Sequence, residues 1–137
     1  RIGTIIDGKK VPPALNDVLL VNKKSGAIIK YALFLNEKKI SENSADGIIA
    51  CTSTGSTGHS LSAGGKKIFK GNFEIVQYNV MGKKPKPIIV KADSKIRISC
   101  LDPCAEYETV IDGQLRFPTG KGIIIKKGKI TKLVKFG

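Results

Sequence analysis

Several residue types are rare in this sequence, and each shortage excludes a class of protein or site. Its 137 residues include no tryptophan, one histidine and only 6% aromatic residues. We find no aromatic pattern of the kind on which RNA-binding modules stack bases. No apolar run approaches the roughly 20 residues that a membrane helix needs. The first residues show neither a signal peptide nor a transit peptide. We therefore expect a soluble, cytoplasmic domain cut from a longer protein, with no membrane partner.

Cysteine is also scarce. Three residues, Cys51, Cys100 and Cys104, are an odd number for the disulfide framework of a small secreted domain. The Cys100-x3-Cys104 spacing is not that of a zinc knuckle, and one histidine elsewhere does not complete a zinc site. We expect reduced, partly buried thiols and no metal ligands in this chain.

Positive charge is abundant, but arginine is not. The formal net charge is +13, and only three of the 24 basic residues are arginines. Clustered lysines would neutralise nucleic-acid phosphates. The lysines here instead occur as scattered pairs, and arginine is the better residue for bidentate base contacts. This pattern favours a solvated lysine surface and no nucleic-acid partner. An anionic ligand or an acidic partner domain remains open.

Hydrophobic residues, 41% of the chain, fall in short runs that are separated by turn signals. This pattern predicts a mainly β, antiparallel sandwich-like domain. We see no internal repeat in the sequence. The predicted strands are Ile2–Ile6, Leu15–Val21, Ile28–Leu35, Ile48–Cys51, Phe73–Val80, Lys95–Cys100, Tyr107–Ile111, Gln114–Phe117, Gly122–Lys126 and Ile130–Phe136.

Turn residues connect these strands. Asp112-Gly113 predicts a two-residue hairpin turn, because both of its positions favour positive φ. Asp7-Gly8 and Asn36-Glu37 predict two further turns. Pro85 and Pro87 mark a loop that cannot belong to a central strand.

One segment, Thr52 to Gly65, departs from the β pattern and is rich in Ser, Thr and Gly. Thr57 or Ser56 suits the N-cap of a short helix over Gly58 to Ala63, which Gly64-Gly65 would end. A buried strand, a polar loop and free helical N–H groups would then follow one another. Such an arrangement can hold the hydroxyls or phosphates of a ligand.

Four ordered motifs resemble the NAD kinase family. The segment Asp46–Gly65 is similar to that family's DG strand and TPTGSTAYSLSAGG loop, with Ser53 for Pro and Gly58-His59 for Ala-Tyr. Ala14–Val18 resembles ALNEVV, with Asp17 for Glu. Lys95–Ile98 resembles its S-x-I-R-I strand, and Ile111–Gln114 resembles its DGQ hairpin. The motifs span nearly the whole chain.

The resemblance implies that residues 1–137 form a single domain, the C-terminal, NAD-binding domain of an NAD kinase. The family's GGDGT motif, whose Asp is taken as the catalytic base, has no counterpart in this sequence. The implied reaction transfers a phosphoryl group from ATP or polyphosphate to the adenosine 2′-hydroxyl of NAD, with Mg²⁺ held mainly outside this domain. The implied partners are an N-terminal α/β domain and further copies in a homo-dimer or homo-tetramer. This chain alone is then expected to be inactive and to carry no catalytic residue.

The resemblance also assigns binding residues. Asn16 can donate and accept, which suits a ribose or base edge, while ionised Asp17 can only accept. Asp46 would contact the substrate's base or amide, in a neighbouring subunit's site, although a strand-opening turn residue is the plainer interpretation. Gln114 reaches the pocket from its hairpin or faces solvent. The other implied pocket residues belong to the loop and helix segment: Thr54, Thr57, Gly58, His59, Ser60 and Ser62.

Two alternatives stay open. A stand-alone basic β-domain could bind an anionic partner without any chemistry. The related diacylglycerol and sphingosine lipid kinases share the architecture, although the GSTGHSLSAGG loop favours NAD. A Ser–His–Asp triad is not indicated, because Gly55–Gly58 lacks the G-x-S-x-G elbow.

Overall fold

The computed structural model describes residues 2–52, 72–91 and 93–127 of the chain. In these ranges the regular structure is entirely β, and no helix occurs in them. The predicted helix over Gly58–Ala63 and the predicted strand Ile130–Phe136 lie outside the described residues. The strands are β1 (Ile2–Ile6), β2 (Lys9–Ala14), β3 (Asp17–Asn22), β4 (Ile29–Leu35), β5 (Lys38–Ala45), β6 (Gly47–Cys51), β7 (Asn72–Tyr78), β8 (Ile88–Lys91), β9 (Ile96–Cys100), β10 (Tyr107–Ile111), β11 (Leu115–Thr119) and β12 (Gly122–Lys127).

The described strands form two six-stranded sheets. The first sheet has the order β2-β1-β12-β9-β4-β5, and the second sheet has the order β11-β10-β3-β6-β7-β8. Every pair of neighbouring strands is antiparallel. The prediction of a mainly β domain with two antiparallel sheets is therefore confirmed.

The core lies between the sheets and consists mainly of isoleucine, leucine and valine side chains. Strand β6 is buried along its whole length, as its continuous apolar run predicts. A polar bridge joins the sheets through the core. The Tyr31 hydroxyl of β4 donates to Gln77 Oε1 of β7 at 2.6 Å, and Asn43 Nδ2 of β5 donates to the same oxygen at 2.9 Å. Burial raises the pKa of Tyr31, so this phenol stays a donor at any physiological pH.

Strand β2 and the four-residue edge strand β8 were not predicted, and β5 was not predicted in full. Strand β2 contains Pro12 and Pro13, which argue against a strand, but β2 is an edge strand whose free side needs no N–H donors. Strand β5 continues to Ala45 through a largely polar sequence. It is also an edge strand with a single fully buried residue, Ala45, so the apolar alternation that marks a half-buried strand is lacking.

The chain contains a repeat that the sequence alone did not reveal to us. Strands β1 and β2 form a hairpin in the first sheet, after which the chain crosses to β3 of the second sheet. Strands β10 and β11 form a hairpin in the second sheet, after which the chain crosses to β12 of the first. Each hairpin turn carries Ile-Asp-Gly, at Ile6–Gly8 and at Ile111–Gly113, and has a proline six residues after the Asp. The expectation of no internal repeat is therefore wrong, because the two copies share only a few turn and crossover residues.

Both aspartates of this repeat bind the crossover of the opposite copy. The Asp7 carboxylate accepts hydrogen bonds from the backbone N–H groups of Gly120, Lys121 and Gly122, at 2.8, 2.7 and 3.0 Å. Partial burial raises the pKa of Asp7, but the three N–H donors and the charge of Lys121 outweigh it. The net pKa lies below the ordinary value of 3.8.

We expect Asp7→Asn to lower the stability of the domain at neutral pH by about 1 kcal/mol, a modest value because the carboxylate is exposed to screening solvent. A lowered folded-state pKa contributes stability above the unfolded-state pKa and loses it as pH falls through the folded-state pKa. The difference between the two proteins should thus be constant above pH of about 5 and shrink below pH of about 4. Urea unfolding between pH 3 and pH 7 measures this, and a difference that grows toward acid pH would contradict it.

Candidate functional site

The candidate site is built around the corner at which the chain passes from β2 to β3, formed by Leu15, Asn16 and the first residue of β3, Asp17. The three successive backbone N–H groups of this corner point at one side chain of the β10–β11 turn. Asp112 Oδ2 accepts from Leu15 N at 2.9 Å, and Asp112 Oδ1 accepts from Asn16 N at 2.7 Å and from Asp17 N at 3.1 Å. The ALND motif and the DGQ motif are therefore in direct contact.

The third motif reaches the same corner from β6. Thr52, the first residue of the Thr52–Gly65 segment, donates its backbone N–H to the Asn16 carbonyl at 2.9 Å. Its hydroxyl donates to the Leu15 carbonyl, also at 2.9 Å. Three of the four motifs that the sequence singled out thus meet at one end of the second sheet.

The side chains that the sequence predicts to bind the dinucleotide differ in their surroundings. Asn16 is half-buried, and its side-chain amide has no hydrogen-bond partner within the described ranges. Gln114 is exposed, next to the positive-φ pair Asp112 and Gly113 that makes the turn. Asp17 is 94% buried, being only 6% exposed. The corner therefore presents an amide with free hydrogen-bonding capacity beside a buried acid.

A row of polar side chains extends from Asp17 across the second sheet. Asp17 on β3 pairs with Cys51 on β6, which pairs with Glu74 on β7. Directly paired residues of antiparallel strands point to the same face, so the three side chains are neighbours. Cys51 Sγ lies 3.8 Å from Glu74 Oε1, and Glu74 is fully buried. Two buried acids thus lie at this end of the sheet.

Sequence analysis missed three of these residues: Thr52, Glu74 and Asp112. A weak signal exists for Glu74, an acid flanked by the apolar residues Phe73, Ile75 and Val76 of β7. The sequence predicts a loop at Thr52 and a turn at Asp112, and nothing in their local sequence shows that both contact the Leu15–Asp17 corner.

Asp46 is not brought to the corner. It precedes β6, whereas Thr52 follows that strand, and a strand rises about 3.3 Å per residue, so the two lie about 20 Å apart. Asp46 is half-buried and its Oδ2 accepts a hydrogen bond from Asn79 Nδ2 at 2.7 Å. Burial raises the pKa of the nearby Tyr78, and the charge of Asp46 raises it further. The corner and Asp46 therefore lie at opposite ends of the second sheet.

The S-x-I-R-I motif does not lie next to the corner, because β1 and β12 separate its strand, β9, from β2, the strand that leads into the corner. Arg97 lies over the Phe34 ring, 3.9 Å from the centroid, and forms an ion pair with Glu37 at 3.1 Å. These contacts give Arg97 a structural role on the face of the first sheet that points away from the core.

Comparison with known proteins identifies the family. The family model described as "ATP-NAD kinase C-terminal domain" matches residues 15–134. The chain belongs to the NAD kinase family. It is 33% identical over 135 residues to an NAD kinase of Methanocorpusculum labreanum, a match that covers 93% of this chain and 48% of that protein. It is 36% identical over 107 residues to an NAD kinase of Hydrogenovibrio crunogenus, covering 76% of this chain and 37% of that protein.

Solved structures of the family have the same fold. An NAD kinase from Archaeoglobus fulgidus in complex with ATP superposes with a TM-score of 0.81 at 26% identity, covering 94% of this chain and 51% of that one. A yeast NADH kinase complexed with NADH gives a TM-score of 0.79 at 23% identity, covering 95% and 40%, and shows the likeness of fold alone. The chain spans about half the length, or less, of the family members that it matches.

Six of the predicted binding residues lie outside the described residues: Thr54, Thr57, Gly58, His59, Ser60 and Ser62. Their role in binding stays a prediction, as does that of Asn16, Asp17, Asp46 and Gln114.

The three cysteines are free thiols, as predicted, but they differ in burial. Cys51 is buried and Cys100 is partly buried, whereas Cys104 is exposed, so the expectation of burial is wrong for Cys104. Burial and the charge of Asp7 raise the pKa of Cys100 to about 12. Within the described ranges, no group of three or more His, Cys, Asp or Glu residues could hold a metal ion. None of the residues in those ranges belongs to a helix that could cross a membrane.

Proposed function

We propose that this chain is the NAD-binding part of a kinase that transfers a phosphoryl group to the adenosine 2′-hydroxyl of NAD and so produces NADP. The observation that carries the proposal is the meeting of the ALND, Thr52–Gly65 and DGQ motifs at one corner. Family membership and the names of the relatives, which are NAD kinases, support it.

The corner has the chemistry that a dinucleotide needs. The Asn16 amide can donate to and accept from a ribose hydroxyl or a base edge, and its backbone is already held by neighbouring residues. The carboxylate of Asp17 is an acceptor for ribose hydroxyls or an amino group. Polar residues of the Thr54–Ser62 stretch and the side chain of Gln114 complete the proposed pocket.

The catalytic machinery lies elsewhere in this proposal. The general base belongs to an N-terminal α/β domain with a GGDGT motif, and Mg²⁺ is held mainly outside this chain. Catalysis then consists of positioning and of electrostatic stabilisation of the transferred phosphoryl group. The phosphoryl donor is ATP or polyphosphate, and the enzyme acts in the cytoplasm.

The separation of Asp46 from the corner supports a homo-oligomer. One dinucleotide held at the corner cannot also reach, in a compact conformation, a side chain about 20 Å away along the same strand. We propose that Asp46 contacts the substrate bound to a neighbouring copy, in a dimer or a tetramer.

The experiment is an NADP-formation assay on two proteins: the complete protein that carries this domain, and residues 1–137 alone. We expect the complete protein to form NADP from NAD with ATP or polyphosphate, and residues 1–137 to form none, because they lack the base. A complete protein that forms no NADP with either donor would contradict the proposed function. Turnover by residues 1–137 would contradict the proposed division of labour.

A further inference from the structure

We propose that Asp112 is the positioning residue of the dinucleotide site: its carboxylate holds the backbone of the Leu15–Asp17 corner so that the Asn16 amide faces the ligand. This inference rests on the proposed function. It gives a role to the aspartate of the DGQ motif, for which the sequence alone predicts only a turn.

The hydrogen bonds of Asp112 use both carboxylate oxygens as acceptors. Oδ1 accepts from two backbone N–H groups and Oδ2 from a third, and these donors come from three consecutive residues. A carboxylate has only acceptors, so it can satisfy three converging donors. An asparagine amide would turn an NH₂ group toward at least one of them. Charge-assisted bonds of this kind are also stronger than neutral ones.

Every backbone N–H and C=O group of the corner is hydrogen-bonded. Besides the three N–H groups, the Leu15 and Asn16 carbonyls accept from Thr52, and the Asp17 carbonyl accepts from the Asp112 N–H at 3.0 Å. Two residues, Asp112 and Thr52, thus engage all six backbone polar groups of the corner. The Asn16 side chain projects from a corner whose backbone is fully specified, which lowers the entropic cost of binding a ligand there.

The internal repeat supplies a matched control within the same molecule. Asp7 binds Gly120, Lys121 and Gly122 with the same three-donor geometry, and its own N–H donates to the Gly122 carbonyl at 3.0 Å. Asp112 likewise donates to the third residue of its corner. The corner that Asp7 binds, Gly120–Gly122, contains none of the three motifs that meet at the Leu15–Asp17 corner. A purely structural contribution should therefore be similar for both aspartates, whereas a contribution to NAD binding should belong to Asp112 alone.

The experiment compares Asp112→Asn with Asp7→Asn in the complete protein. We expect similar decreases in melting temperature for the two variants. We expect the Kd and the KM for NAD to rise about tenfold or more in Asp112→Asn only, with kcat and the KM for ATP within about twofold of the unaltered protein. Calorimetric titration with NAD and initial-rate kinetics measure these values.

A second pair of variants covers the case in which Asp112→Asn does not fold. Thr52→Val removes the hydroxyl that binds the Leu15 carbonyl, and Thr52→Ser keeps it. We expect Thr52→Val to weaken NAD binding and Thr52→Ser to restore it to within about twofold.

The outcomes separate this inference from the proposed function. If the unaltered protein binds NAD and Asp112→Asn binds it equally well, or if Asp7→Asn weakens binding as much, Asp112 has a structural role only and the positioning inference is wrong. If the unaltered protein neither binds nor phosphorylates NAD, the proposed function is wrong and the inference falls with it.

Discussion

Replacing Asn16 with alanine in the complete protein is expected to raise the KM for NAD by a factor of about ten to a hundred and to leave the KM for ATP nearly unchanged. The lost side chain is the amide that the corner presents without a partner among the described residues. Losing its hydrogen bonds to a ribose or base should cost about 1–3 kcal/mol, and each 1.4 kcal/mol is about one decade in affinity.

The structure explains why this variant should fold normally. The backbone bonds of Asn16 to Asp112 and Thr52 do not involve its side chain. Lys38→Ala, an exposed change on the edge strand β5, serves as the control and should leave both constants unchanged. We expect Thr57→Ala to act in the same direction but more weakly, because we expect the backbone of that loop to supply much of its contact. An Asn16→Ala protein that folds and binds NAD as tightly as its parent would show that the site is not at this corner.

Gly122→Ala is expected to cause the second large effect, a loss of folding stability. Gly122 begins β12 with φ at +153°, a backbone conformation that other residues rarely adopt. A Cβ at this position would overlap the carbonyl oxygen of Ile98 and lie 3.1 Å from Ser99 Cα. Both neighbours are backbone atoms of β9, so they cannot move without shifting the strand. We expect a loss of about 2–4 kcal/mol from the clash and the strained φ together.

Gly120→Ala is the matched control from the same crossover. The nearest atom to its Cβ would be Asp7 Oδ2 at 3.6 Å, which is ordinary van der Waals contact. Urea unfolding should thus show a large loss for Gly122→Ala and a change of under about 1 kcal/mol for Gly120→Ala. Equal losses for the two variants would mean that the β9–β12 approach is not as close as the structure has it.

Much of the fold could be predicted because its signals are local. The turn Asp112-Gly113 was predicted from two residues, and the structure has positive φ at both. The continuous apolar run of β6 predicted a strand with two buried faces, and the alternation over Lys95–Cys100 predicted β9. Strands β2 and β8 were not predicted and β5 was predicted only in part. All three are edge strands, which tolerate proline and polar residues and can be short.

The site could be predicted only as a set of motifs. Asn16, Asp17 and Gln114 were assigned by resemblance, but the residues that hold them in place were not. Asp112 is separated from the corner that it binds by 95 to 97 residues. No local propensity encodes a contact over such a distance.

The sequence by itself therefore determined the β class, most strand positions, the hairpin turns and the family, because each depends on neighbouring residues or on short motifs that resemble those of the family. Only the tertiary structure decided which motifs meet. It brought the ALND, Thr52 and DGQ residues to one corner and left Asp46 and Arg97 elsewhere. It also revealed the paired corners of Asp7 and Asp112. The physical reason is that antiparallel pairing and the two crossovers between sheets bring together residues that are far apart in the chain, and these contacts form only when both sheets are assembled.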